Sequence, residues 1–69
     1  MNVEMQPVDS SMVSHVGYDP GSKTLHLTYH SGGTYKHPGV PQAKFDAMMR
    51  SSSVGAYINK QIKPFHPHR

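Results

Sequence analysis

Hydrophobic and polar residues alternate along two segments of this chain, and each alternation has the period of a β-strand. In residues 12–18 the even-numbered residues are predicted to lie on one face of a strand, and Val13, His15 and Gly17 are predicted to lie on the other. In residues 24–29 the alternation is cleaner, with hydrophobic side chains at positions 25, 27 and 29. Residues 19–22 (Asp-Pro-Gly-Ser) separate the segments, and their sequence is typical of a tight turn. The pattern therefore predicts two adjacent strands.

A third strand is predicted to begin at Thr34 and to end before Pro38, which has no N–H to donate. Ser31-Gly32-Gly33 is typical of a three-residue hairpin loop, in which glycine takes the left-handed conformation. This loop would put Tyr35 and His37 on the face that carries Leu25 and Leu27. The predicted pairs are His30 with Thr34, Tyr29 with Tyr35, Thr28 with Lys36, and Leu27 with His37.

Two apolar stripes with helical spacing follow the predicted strands. Pro41 suits the first position of a helix, where its missing N–H costs nothing, and Phe45, Met48 and Met49 recur at helical spacing. The second stripe consists of Val54, Tyr57, Ile58 and Ile62. The expected fold is α+β, a three-stranded antiparallel β-meander with one or two short helices packed on one face. The opposite sheet face would be polar and would show His15, His26, Thr28, His30, Thr34 and Lys36.

A chain of 69 residues accommodates one domain. We expect a loosely ordered arm at 1–10, the folded domain at 11–63 and a basic, proline-rich tail at 64–69. The chain has no cysteine and no apolar run long enough to cross a bilayer, so the expectation is a cytoplasmic protein without membrane contact. A small core also makes a homodimer plausible, because a neighbouring copy can bury additional surface.

The net charge of +3 is unevenly distributed. Residues 1–35 contain one lysine and three acidic residues, which gives −2, whereas residues 36–69 contain six basic residues and one acidic residue, which gives +5. A basic half favours an anionic partner such as RNA, DNA or an acidic protein face. The alternative is a solvated surface that only keeps the protein soluble.

Five short motifs occur in order along the chain: Val16 to Asp19, Leu25 to Tyr29, Gly32 to Tyr35, Pro38 to Pro41, and Ser53 to Ile62. Together they resemble the KTSC family, which is named after the C-terminal domain of some lysyl-tRNA synthetases. The resemblance covers about residues 11–65. It implies a short β-meander followed by helices in a small bacterial or phage protein, with RNA binding suggested by the synthetase context.

The family has a Tyr-x-Tyr motif at its centre, where this chain has Tyr35-Lys36-His37. The second ring is therefore a titratable imidazole instead of a phenol. Two rings flanking a cation can stack on bases and contact phosphate, so Tyr35 and His37 are candidate ring contacts. The alternative is that both rings pack in the core, because the register above points them toward it.

The start of the second predicted helix is a second candidate for anion binding. Ser53 and Gly55 would leave backbone N–H groups accessible to a phosphate, although Ser52 or Ser53 could instead cap the helix while Gly55 packs on the sheet. The glycine-lysine-serine or -threonine signature of a phosphate-binding loop is missing. The full set of candidate nucleic-acid or anion contacts is Lys36, Arg50, Ser53, Gly55, Asn59, Lys60, Lys63 and Arg69.

Catalysis, a cofactor and a metal are not expected. The acidic residues are scattered, so no carboxylate pair for acid–base chemistry is indicated. His26 and His30 would lie roughly 13 Å apart on a strand, too far for one ion, whereas His66-x-His68, or His15 with His26, offers only two nitrogens. The leading hypothesis is a non-enzymatic module that binds RNA. The alternative is a phage- or prophage-type factor that binds a host or defence protein through an open sheet edge.

Overall fold

The computed structural model describes residues 3–67. Its antiparallel sheet has the order β1-β2-β3-β4, and the helices follow the last strand. The strands are β1 (Gln6–Pro7), β2 (Val13–Asp19), β3 (Thr24–Tyr29) and β4 (Thr34–His37). They are followed by α1 (Gln42–Arg50), α2 (Val54–Tyr57) and a π-helical turn (Ile58–Ile62) that continues α2.

The α+β class is confirmed, but the expectation of three strands is wrong. In the segment predicted as a loose arm, Gln6 pairs with Val16 and Pro7 with His15, which adds the edge strand β1. Gly17 is buried where the arm crosses it, because Val3, Glu4 and Met5 occupy the space of the missing side chain. The alternation of residues 12–18 could not indicate this strand, because β1 is only two residues long and contains a proline.

A β-bulge at Ser14 interrupts the predicted alternation in β2. Val13 pairs with Tyr29 and His15 with Thr28, so one residue of β2 has no counterpart in β3. The extra residue turns Val13 to the same face as Val16, and both side chains are fully buried. The prediction that Val13 and Val16 lie on opposite faces is therefore wrong.

The register predicted for the β3–β4 hairpin is also wrong, by two residues. Thr28 pairs with Thr34 and Leu27 with Tyr35, so the loop spans five residues instead of three. Gly32 and Gly33 both have positive φ, 107° and 86°, and the Tyr29 N–H donates to the Gly33 carbonyl at 3.2 Å. An even shift preserves the faces, because side chains alternate with a period of two.

The core lies between the sheet and the helices. It joins Val13, Val16, Leu25 and Leu27 to Val40 and to Met48, Ile58 and Ile62 from the helical segments. Both predicted apolar stripes are confirmed in this cluster. The cap of α2 is also confirmed, since the Ser53 hydroxyl accepts the Ala56 N–H at 3.2 Å. Within residues 3–67 there is no helix of the length and hydrophobicity that a bilayer crossing requires.

Candidate functional site

Three side chains form a surface, here called the tyrosine–lysine patch, beside the hairpin loop: Tyr29, Tyr35 and Lys63. The rings of Tyr29 and Tyr35 meet edge to face with their centroids 5.2 Å apart. The Lys63 ammonium lies 5.6 Å from the centroid of the Tyr29 ring. β3, β4 and the end of the π-helical turn thus bring two aromatic rings and a cation together.

Tyr35 is the accessible ring of this patch. It lies on the core-facing side of β4, as predicted, and pairs with Leu27, but 38% of its surface is exposed, whereas His37, two residues later on the same face, is 1% exposed. Burial, and to a lesser degree the neighbouring Tyr35, raises the pKa of Tyr29, so this phenol stays protonated at neutral pH. Tyr35 therefore faces the core side of the sheet, as the core-packing alternative expected, but its ring is not buried there.

His37, the other candidate ring contact, is 1% exposed, so its ring is not accessible for stacking on a base. Its Nδ1 lies 2.7 Å from the backbone carbonyl oxygen of His66. A carbonyl only accepts, so Nδ1 carries the proton and, in the neutral ring, Nε2 accepts from the Tyr29 hydroxyl at 3.5 Å. The imidazole that replaces the second tyrosine of the motif thus fastens the C-terminal segment to the sheet.

The start of the C-terminal segment, predicted as a tail, is held by a second set of contacts. The Lys44 ammonium donates to Nε2 of His66 at 2.9 Å and lies 4.8 Å from the centre of the Phe65 ring. Sequence reasoning missed this cluster, because residues 44 and 66 belong to different predicted elements. Phe65 stays 65% exposed, and no local sequence pattern connected His66 with Lys44.

The predicted anion-binding residues do not form one surface. Lys36 lies opposite His26, on the sheet face away from the helices, whereas Lys60, Lys63 and Asn59 lie in or directly after the π-helical turn. Arg50 donates from Nε to the Asp46 carbonyl at 3.5 Å at the end of α1. Arg69 lies outside the described residues.

The helix start around Ser53 and Gly55 is occupied by the protein itself. The Ser53 side chain caps α2, and a Cβ added at Gly55 would lie 3.2 Å from the Ser10 hydroxyl and 3.4 Å from the Met12 Cβ. This geometry favours capping and close packing over phosphate binding, although Gly55 packs against residues 10–12 and not directly on the sheet. The tyrosine–lysine patch is therefore the better candidate for ligand binding.

The histidines do not suggest a metal centre. Among residues 3–67, no three histidine, cysteine or acidic side chains lie close enough together to hold a metal ion. His15 and His26 do share the open sheet face, but Lys36 lies directly opposite His26. Its positive charge would repel a metal cation there. His68 of the His66-x-His68 pair lies outside the described residues.

His26 and His66 are expected to make the free energy of unfolding depend on pH, and the sign of this dependence follows from their surroundings. Burial, followed by the charge of Lys44, lowers the pKa of His66 from its ordinary value of 6.5, and burial followed by Lys36 lowers the pKa of His26. Both residues therefore favour the fold when neutral. Their contribution is complete above pH 6.5 and is lost as the pH falls through the lower folded-state values.

We therefore expect the urea midpoint to fall between pH 7.5 and pH 5. His66→Asn and His26→Asn should each reduce that fall, and the double variant should reduce it most. NMR titration of the imidazole protons should give midpoints below 6.5 for both side chains. An unchanged pH dependence in the double variant would contradict the assignment.

Comparison with known proteins agrees with the motifs. Residues 9–65 match the KTSC domain, so the chain belongs to the KTSC domain family. A protein of Tsukamurella paurometabola is 40% identical over 60 residues, which cover 87% of this chain and 90% of the relative. An uncharacterized protein of Stutzerimonas stutzeri is 32% identical over 59 residues, 86% of this chain and 83% of the relative. The crystal structure of a KTSC domain protein from Yersinia pestis superposes with a TM-score of 0.93 at 32% identity, covering 99% of this chain and 96% of that one.

Proposed function

We propose that this member of the KTSC domain family is a small module that binds unpaired RNA through the tyrosine–lysine patch. The observation that carries the proposal is the exposed ring of Tyr35, held edge to face against Tyr29 with the Lys63 ammonium over the second ring. The stacking surface and the cation are thus adjacent. The proposal includes no catalytic step and no cofactor.

Tyr35 would stack on a base. Proteins that bind single strands place bases on exposed aromatic rings, and each such contact is worth about 1–3 kcal/mol. Tyr29 supports Tyr35 from the side, which limits the rotamers of the exposed ring before a ligand arrives. A base within a duplex has its faces covered by its neighbours, so the stacking role favours loops, bulges and single strands.

Lys63 and Lys60 would contact the phosphates that flank the stacked base. Lys60 lies within the π-helical turn and Lys63 directly follows it, so both cations come from the same short segment. Both are exposed. Phosphate contacts of this kind release counterions, so the affinity should fall as salt rises.

The experiment is fluorescence anisotropy with a labelled 12-nucleotide RNA, single-stranded or in a duplex, over a salt series. We expect Tyr35→Ala to weaken binding of the single strand about tenfold, the size of one lost stacking contact, and Tyr35→Phe to have little effect. Lys63→Gln should weaken binding and make the salt dependence shallower.

Lys36→Gln is the matched control, because it removes the same charge from the opposite sheet face. Equal losses for Lys36→Gln and Lys63→Gln would show a diffuse charge effect and would contradict binding at the patch. Affinity that does not change with salt would contradict a nucleic-acid ligand.

A protein partner is the second candidate, favoured by the position of β4 at the edge of the sheet. An edge strand can pair with a strand of another protein. A pull-down from bacterial lysate, with and without nuclease, separates the two candidates. Partners that are lost after nuclease treatment support RNA, and a partner that persists supports the protein alternative. Analytical ultracentrifugation of the purified chain would test the expected homodimer.

A further inference from the structure

A second surface feature lies at the other end of the sheet from the tyrosine–lysine patch. It is an open cavity of about 370 Å³ between β1, the β2–β3 turn and the start of α1, here called the acidic cleft. Tyr18 pairs with Leu25, at the start of β3, and Tyr29 ends that strand roughly 13 Å away at about 3.3 Å per residue. The cleft is lined by Glu4, Gln6, Tyr18, Pro20, Gln42 and Phe45.

The aromatic wall of the cleft is rigid. The rings of Tyr18 and Phe45 stack with centroids 5.0 Å apart and planes 14° from parallel. The Tyr18 hydroxyl donates to the Val40 carbonyl at 2.5 Å, which fixes the ring in its orientation. Both residues are half-buried, so part of each aromatic surface remains accessible from the cleft.

The rim of the cleft supplies polar groups. Glu4, Gln6 and Gln42 are exposed, and within the described part of the chain their side chains make no hydrogen bond. A carboxylate and two amide oxygens are therefore able to accept hydrogen bonds from a ligand. None of the six lining residues is basic.

Acidic side chains gather around the cleft, although the chain as a whole carries +3. Glu4 is on the rim, and Asp19 and Asp46 lie close enough to Tyr18 that, after burial, their charges help to raise its pKa. Three of the four acidic residues of the chain are therefore in this region. These carboxylates favour a cationic ligand over the phosphates of a nucleic acid.

We propose that the acidic cleft binds an arginine side chain presented by a partner protein. The flat guanidinium group stacks on the accessible aromatic surface of Tyr18 and Phe45, as guanidinium groups do on aromatic faces. Its N–H donors form a fork that matches the Glu4 carboxylate, and further donors reach the amide oxygens of Gln6 and Gln42. A lysine ammonium gains the charge attraction but neither the stacking nor the paired hydrogen bonds.

The experiment is a titration of ¹⁵N-labelled protein with the peptide acetyl-Gly-Arg-Gly-amide, compared with the citrulline peptide of the same shape and no charge. We expect amide shifts confined to Tyr18, Gln42, Phe45 and their neighbours. The citrulline peptide should bind about tenfold more weakly, because it has lost the cation and the ion pair.

Glu4→Gln should weaken binding of the arginine peptide about threefold, which is the size of an exposed ion pair. Asp9→Asn is the matched control, because it removes an exposed negative charge that does not line the cleft. Equal affinity for the citrulline peptide, or equal losses in Glu4→Gln and Asp9→Asn, would overturn the proposal. Shifts at the same amides on simple dilution of the protein would identify a second copy as the occupant and would also overturn it. The outcome of the peptide titration does not depend on whether the protein binds RNA, because the anisotropy experiment tests the patch at the other end of the sheet.

Discussion

Replacement of His37 with alanine is expected to lower the free energy of unfolding by about 3 kcal/mol, the usual cost of truncating a large buried side chain. The imidazole is 1% exposed and bonds both the His66 carbonyl and the Tyr29 hydroxyl. Alanine leaves a cavity at this position and an unpaired carbonyl beside it. A domain of this size has a total stability of roughly 3–10 kcal/mol, so this single substitution should remove at least about a third of it.

Urea denaturation followed by circular dichroism measures this effect. His37→Phe, which retains a ring but loses both hydrogen bonds, should cost less than alanine and separates packing from polar contacts. His15→Ala, on the exposed sheet face, is the matched control and should change stability by less than about 0.5 kcal/mol. If His37→Ala were no more costly than His15→Ala, the tethering role of His37 would be wrong.

The position of His37 shows what the sequence could and could not predict. Its orientation toward the core followed from the predicted hairpin, which placed His37 on the same face as Leu25 and Leu27. The predicted register was wrong by two residues, but an even shift leaves every side chain on its predicted face. Its partner did not follow from any local pattern. The His66 carbonyl lies 29 residues later in the chain, and only the packed fold brings it to Nδ1.

The strands show the same division between local and long-range information. The period of β3 and the helical stripes are local, so they were predictable from side-chain spacing. The bulge at Ser14 and the short β1 are decided by pairing with another segment, and neither leaves a periodic signal.

The candidate site was predictable only in its composition. Six of the seven basic residues are in the second half of the chain, but Lys36 and Lys63 are on different surfaces of the molecule. The predicted meander already placed this strand at the edge of the sheet, but alternation shows only which face a side chain is on, and not that Tyr35 is 38% exposed while His37 on the same face is 1% exposed. The acidic cleft required the N-terminal arm, which appeared from the sequence to be loosely ordered.

Replacement of Gly17 with valine is expected to release β1 and the preceding arm from the sheet. A Cβ at this position would lie 2.6 Å from the Met5 sulfur, 2.7 Å from the Val3 Cγ1 and 2.9 Å from the Glu4 carbonyl oxygen. The methionine can rotate away, but the Glu4 carbonyl belongs to the backbone, so the arm itself must move. Such overpacking typically costs about 1–3 kcal/mol.

Hydrogen exchange at the Val8 amide is the direct measurement, because this N–H donates to the Ser14 carbonyl at 3.1 Å and loses its protection if the arm leaves. Thr34→Val, an exposed substitution on β4, is the matched control and should leave that amide protected. Unchanged protection in Gly17→Val would contradict the expected release. The same variant should lose affinity for the arginine peptide, because Glu4 and Gln6 line the cleft only while the arm is paired. It should retain RNA binding, because Tyr29, Tyr35 and Lys63 belong to elements that the arm does not hold.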